Sequence, residues 1–166
     1  MADLKLAYGT ASDVTITLAS LATDANLLTG RESAAIDNTS ALVLDYLVSG
    51  KITTGTSPTA AKSIEVWAVG SWDGTNFPDV FDGTDSAETI TSADLKASVC
   101  RFVAAMATAN VTDRAYHFGP VSLASAFGGT LPPKVVLFVT HSTAVALNST
   151  AGNHQIRLQP VYQTIN

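Results

Sequence analysis

Charge is what this sequence has least of. Asp, Glu, Lys and Arg make up 14% of its 166 residues, against about 25% in an ordinary soluble domain. Cysteine is almost absent: Cys100 stands alone, which excludes an internal disulfide and any zinc site built from several thiolates. It lies in SVCRFV, an alternating segment in which it reads as a buried, inert thiol. Long apolar runs are missing as well. The mean hydropathy is +0.25, yet the compact run Val135–Val139 is far short of the roughly 20 residues that cross a bilayer. Beyond it, His141, Ser142, Asn148, Gly152 and His154 interrupt the chain with polar or small residues. No membrane-spanning helix is expected, and no membrane partner. The opening MADLKLAYGT has neither the basic stretch nor the apolar core of a secretory leader, so export by the general route is not expected.

What charge there is lies unevenly. All 14 acids fall at or before Asp113, together with six bases, a balance of −8; from Arg114 onward only Arg114, Lys134 and Arg157 are charged. The net charge of −5 and the pI near 4.9 argue against a nucleic-acid partner. The neutral C-terminal third reads either as the most buried strands or as surface covered by another subunit.

Strand signals recur along nearly the whole chain. Val14, Ile16 and Leu18 alternate with polar or small residues, which predicts a strand over Val14–Leu21. Ala41–Ser49, continuing to Ile52, is apolar on both faces and predicts a strand buried on both sides. Ser63–Trp72, Val99–Ala105, Ala115–Leu123, Val135–His141 and Gln155–Tyr162 complete the set, with Pro160 predicting an edge or a bulge in the last. Gly-, Asn-, Asp- and Thr-rich clusters separate these runs, and Asp73-Gly74 reads as the tip of a hairpin. Helix signals are few: Ser92 caps a short run toward Ala97, and Ser122–Phe127 fits one further turn. A chain of this length makes one domain that buries roughly 70% of its extended surface. The expected fold is an all-β, antiparallel two-sheet sandwich, jelly-roll-like, with at most one or two short helices. Residues 1–13 are expected to form an extended N-terminal arm and 14–166 the single sandwich domain.

Chemistry is hard to find in it. His117, His141 and His154 match no metal-ligand spacing. Asp79, Asp82, Asp85 and Glu88, with Asp73 nearby, depart from the order of acids in a calcium loop and read as a solvated acidic loop. There is no G-x-S-x-G, and Gly128-Gly129-Thr130 leads into prolines rather than a lysine and a helix. Neither an enzyme nor a cofactor or metal is expected. Trp67, Trp72, Phe77 and Phe81 gather near the Asp73-Gly74 tip. Trp72 and Phe77 are the candidate ligand-stacking pair, set against a reading in which Trp67 and Phe77 pack in the core and Trp72 braces the turn.

The segment SIEVWAVGSWDGTNF, from Ser63 to Phe77, in a cysteine-poor chain rich in Ala, Thr, Ser and Gly, resembles small virion structural proteins of tailed bacteriophages. In those proteins a hairpin of the SWDGT type joins two sandwich strands. Size and fold make the chain most similar to capsid decoration, or cement, proteins. The resemblance implies a non-enzymatic protein, made in the host cytoplasm, that binds the major capsid protein on the virion surface and self-associates as a dimer or trimer. It implies no catalytic residues. The alternatives are a tail or baseplate component, and a carbohydrate-binding sandwich module that uses Trp72 and Phe77.

Overall fold

The computed structural model describes residues 4–165. In chain order the elements are β1 (Leu4–Tyr8), β2 (Ser12–Asp13), β3 (Thr29–Glu32), β4 (Ile36–Asp37), β5 (Asp45–Thr53), β6 (Ser63–Ser71), β7 (Ala87–Thr89), α1 (Ala93–Val99), β8 (Arg101–Ala107), β9 (Ala115–Ser122), α2 (Leu123–Ala126), β10 (Lys134–His141) and β11 (Gln155–Ile165). One sheet, A, runs β1-β11-β5-β9 with β2 beside β11; the other, B, runs β7-β3-β10-β6-β8 with β4 beside β10. Every pairing is antiparallel. The connectivity is that of one long hairpin rolled up. β1 pairs with β11, β3 with β10, β5 with β9 and β6 with β8, and rolling lays β5 against β11 and β6 against β10. This is a jelly roll, the expected two-sheet sandwich.

The main core lies between the sheets, where Val48, Ile52, Ile64, Val66, Leu137, Val139 and Ile156 are all but inaccessible. A second apolar layer covers the outer face of sheet B. There Val69, Val136 and Phe138 meet Phe81, Ile90 and Cys100 from the long connection between β6 and β8, with Trp67, Phe77 and Val99 packed against them. β10 is thus sandwiched twice, with Val135–His141 all buried. Among the described residues sheet A has no such cover: β5 buries Tyr46, Val48 and Ile52 while Asp45, Leu47, Ser49 and Lys51 are only half-buried. The strand expected to be buried on both sides is buried on one.

Three further expectations need correction. Val14–Leu21 alternates in burial through Leu18 but forms no ladder beyond β2. Val14 N–H donates to Ile156 of sheet A, and Thr15 C=O accepts from Ala34 beside sheet B, so the segment crosses between the sheets instead of joining either. The Asp73-Gly74 turn is real, with Gly74 at φ +72, but it does not lead straight into a partner strand. The Asp73 carboxylate bonds the N–H groups of Thr75 and Asn76, and the chain leaves to build the cover over sheet B before β8 returns beside β6. Lastly, β11 carries Pro160 and yet is flanked by β1 and β5. Gly9 N–H donates to Pro160 C=O just where β1 ends. In this register the proline nitrogen faces the Gly9 carbonyl, which accepts instead from the Gln159 side chain.

Both short helices form where Ser92 and Ser122 cap them, accepting from the N–H groups of Leu95 and Ser125. In the segment expected to be an arm, residues 4–8 and 12–13 lie on their own molecule as β1 and β2, both against β11; residues 1–3 lie outside the described residues.

Candidate binding surfaces

The first candidate surface is built around Trp72. β6 ends at Ser71, and the next residue leaves the sheet with its indole 62% exposed. The ring stands edge-on to Phe127, with centroids 6.1 Å apart and planes at 87°. Phe127 follows α2, and its approach depends on Gly70: a Cβ there would lie 3.1 Å from the Phe127 ring and 2.5 Å from Pro132. Two shallow depressions flank the indole. One, of about 390 Å³, is lined by Gly70, Trp72, Asp73, Asn76, Phe77 and Pro78. The other, of about 230 Å³, adds Val99, Arg101 and Phe127 to Gly70, Trp72 and Pro78. Asp73 fixes the turn below the ring, accepting from Ser71 Oγ, Thr75 N–H, Asn76 N–H and Asn76 Nδ2. Those bonds, led by the ones from Asn76, hold its carboxyl well below the usual range. Trp72 and Phe77 therefore line one depression, although most of Phe77 packs into the layer over sheet B. Phe127 was not legible as their neighbour, for nothing in the sequence joins positions 72 and 127.

The second surface is an apolar stripe. Leu4, Leu6 and Tyr8 of β1 are 64%, 65% and 67% exposed, and Ile165, paired with Leu4, is 71% exposed. All four face outward, because the alternate residue Ala7 pairs with Tyr162, which packs on the core. Among the described residues nothing pairs with the outer edge of β1.

The remaining candidates are scattered or already engaged. His117 is exposed on β9. His141 is fully buried and bonded to Leu21 C=O and Thr143 Oγ1, and His154 is bonded to Asn148 C=O. Burial holds both His141 and His154 below the usual imidazole value. Among the described residues no three His, Cys, Asp or Glu side chains are grouped to hold a metal ion. The acids of the 73–88 loop fasten that loop. Asp79 accepts from Thr91 and Asp82 from Thr84. Asp85 takes Arg31 at 2.6 Å and the backbone and hydroxyl of Thr17. Glu88 accepts from Ser86. Cys100 is buried beside Phe138, its thiol pushed up to about 11 by burial. Lys96 of α1 bonds Glu65 at 3.0 Å and Leu27 C=O at 2.7 Å, and lies 4.6 Å from the Trp67 ring, pinning the helix to sheet B.

One buried acid gave no sequence signal. Glu32 of β3 is fully buried under the cover, accepting from Gly83 N–H at 2.7 Å and from Asp82 N–H. Burial pushes its carboxyl up to about 7 against those two bonds.

Comparison with family models, with curated proteins and with solved structures finds no match.

Proposed function

We propose that the chain is a non-enzymatic structural protein of a bacteriophage virion, a decoration protein that holds to the major capsid protein and self-associates. The observation that supports this reading is the presence of two separate exposed apolar surfaces on a stiff sandwich, the Trp72 platform at the end of β6 and the outer stripe of β1. A decoration protein has two things to hold, the shell and its own neighbours, and each contact needs apolar area to cover. The Trp72 platform suits the shell contact, since aromatic residues with a nearby arginine are the side chains that carry most interface energy, and Arg101 lines the same depression.

Trp72→Ala is expected to weaken binding to empty capsids of the encoding phage at least tenfold in a sedimentation assay. Its melting temperature should stay within about 2 °C, because an exposed side chain contributes little to the fold. Unchanged capsid occupancy by the variant would count against the reading.

A second reading is supported by the polar groups beside the exposed indole. Asp73 and Asn76 line the larger depression with Trp72 and Phe77, the combination of flat apolar face and polar rim that stacks a sugar ring. On this reading polysaccharide quenches the fluorescence of Trp72, and Trp72→Ala removes the response. On the decoration reading polysaccharide leaves the fluorescence unchanged. An image of the assembled particle separates a head from a tail or baseplate location.

A further inference from the structure

The outer edge of β1 is built to be self-complementary. Gly9 N–H bonds Pro160 C=O, in line with the β1–β11 register. In an antiparallel ladder the residues that exchange bonds alternate with those that do not. Lys5 and Ala7 therefore direct their backbone groups toward β11, and Leu4, Leu6 and Tyr8 direct theirs outward to the free edge. The residues whose backbone groups face the free edge are thus the three that β1 contributes to the four-residue apolar stripe.

We propose that this edge pairs with β1 of a second copy of the chain, antiparallel and centred on Leu6, joining two A sheets into one. A two-fold axis at Leu6 sets Leu6 opposite Leu6 of the other copy and Leu4 opposite Tyr8, so that all three pairs lie on one face. The same axis pairs the outward N–H and C=O groups in six hydrogen bonds. Lys5, the one charged residue of β1, falls opposite Ala7 on the other face, and no like charges meet. Ile165 flanks Leu4 and widens the stripe on each side. An exposed edge with apolar side chains is a feature that soluble proteins ordinarily suppress with charge, bulges or cover.

The area sets the strength. Four large apolar side chains, each about two-thirds exposed, bring roughly 350 Å² per copy into contact before backbone is counted, against about 800 Å² per partner in a standard stable interface. The contact therefore belongs to the weak class: a monomer at about 1 μM and a dimer near 200 μM, reinforced when a lattice brings copies together.

The inference deepens the decoration reading, on which it rests for the purpose of the contact, but it is tested with no capsid present. Analytical ultracentrifugation of the full chain should show a concentration-dependent dimer. Leu6→Asp, which sets two carboxylates face to face across the axis, should remain monomeric at 200 μM with its melting temperature nearly unchanged. Leu6→Cys tests the register. In a hydrogen-bonded pair the two α-carbons lie about 5.5 Å apart, within disulfide range. Mild oxidation should therefore give a covalent dimer. Leu4→Cys should not, since that position lies about 13 Å from its own copy, and nor should the unmodified chain, whose Cys100 is buried. A chain that stays monomeric at 200 μM, or Leu4→Cys crosslinking as readily as Leu6→Cys, overturns the proposal. So does a monomer whose Leu6→Asp variant loses capsid binding, which would assign the stripe to the shell protein. An indifferent Trp72→Ala bears on the decoration reading alone.

Discussion

Phe138→Ala is expected to lower the melting temperature by about 10 °C, the largest effect of any single truncation outside the inter-sheet core. Phe138 is fully buried in the layer over sheet B and stands edge-to-face with Phe81, ring centroids 5.5 Å apart. Removing a buried phenyl ring costs about 3–5 kcal/mol, and each kcal/mol is worth roughly 2–4 °C in a domain of this size. The damage should be local. Val135, Leu137 and Val139 face the inter-sheet core, whereas Phe138 and Val136 face the cover, so the cavity opens under the connection between β6 and β8. Hydrogen exchange should speed up in α1 and residues 79–91 well before it does in β5 or β11. Trp67, which packs on the same layer, should report the loosening by a red shift in its emission. Uniform loss of protection across both sheets would show that the cover is no separate unit.

Glu32→Gln is expected to stabilise the protein, and to do so only toward neutral and alkaline pH. In the folded chain the Glu32 carboxyl keeps its proton to about pH 7, because burial disfavours the anion more than the N–H groups of Gly83 and Asp82 favour it. In the unfolded chain it ionises near its ordinary value of 4.5. Between those two values the folded state binds more protons, so stability falls as pH rises through the window and stays lower above it. At 1.36 kcal/mol per pH unit the loss is about 3 kcal/mol. Glutamine keeps the shape and the acceptor oxygen without a charge. The variant should match the parent near pH 4 and exceed it by roughly 5–10 °C at pH 8. Two buried imidazoles act in the opposite direction: His141 and His154 are held below 6.5, so their contribution is present at neutral pH and declines as pH falls. The parent's own profile is therefore flattened, and the comparison has to be made with the variant at each pH. Parallel Tm curves for the two proteins would contradict this account.

Six strands, β5, β6, β8, β9, β10 and β11, and both helices were readable because their signals are local, whereas the short β3, β4 and β7 gave no such signal and β1 and β2 fall in the segment expected to be an arm. Alternation marks Ser63–Ser71 and a short, continuous apolar run marks Val135–Val139 without knowledge of what covers them, and Ser92 and Ser122 announce helices within four residues. Two stretches that read as strand are held out of the sheets by hydrogen bonds, one long-range and one local. Val14–Leu18 alternates like a strand, but Ala34 and Asp85 take its backbone groups and lead it across from one sheet to the other. Ala41–Leu44 is apolar enough for β5, yet Asn38 bonds both the N–H and the C=O of Val43 and holds this stretch as a loop. The candidate sites were less readable still. Trp72 was visible as a residue, but not its contact with Phe127. Glu32 sits in TGRES without any sign that Asp82 and Gly83, about fifty residues on, would bury it.

The sequence by itself determined the class of fold, the short helices and the shortage of charge, and the shortage now has a location. Part of it lies in β10, charged at Lys134 alone, which has no solvent face because the inter-sheet core lies on one side and the cover on the other. The acids that remain are concentrated in that cover, where six acids and one base between Trp72 and Val99 equal the whole net charge of −5. Only the tertiary structure decided which side of each strand meets solvent. LKLAY alternates as well as any core strand, and period two defines two faces without saying which is inner. For β1 the answer came from β11, whose Tyr162 turns to the core and takes Ala7 with it, leaving Leu4, Leu6 and Tyr8 outside.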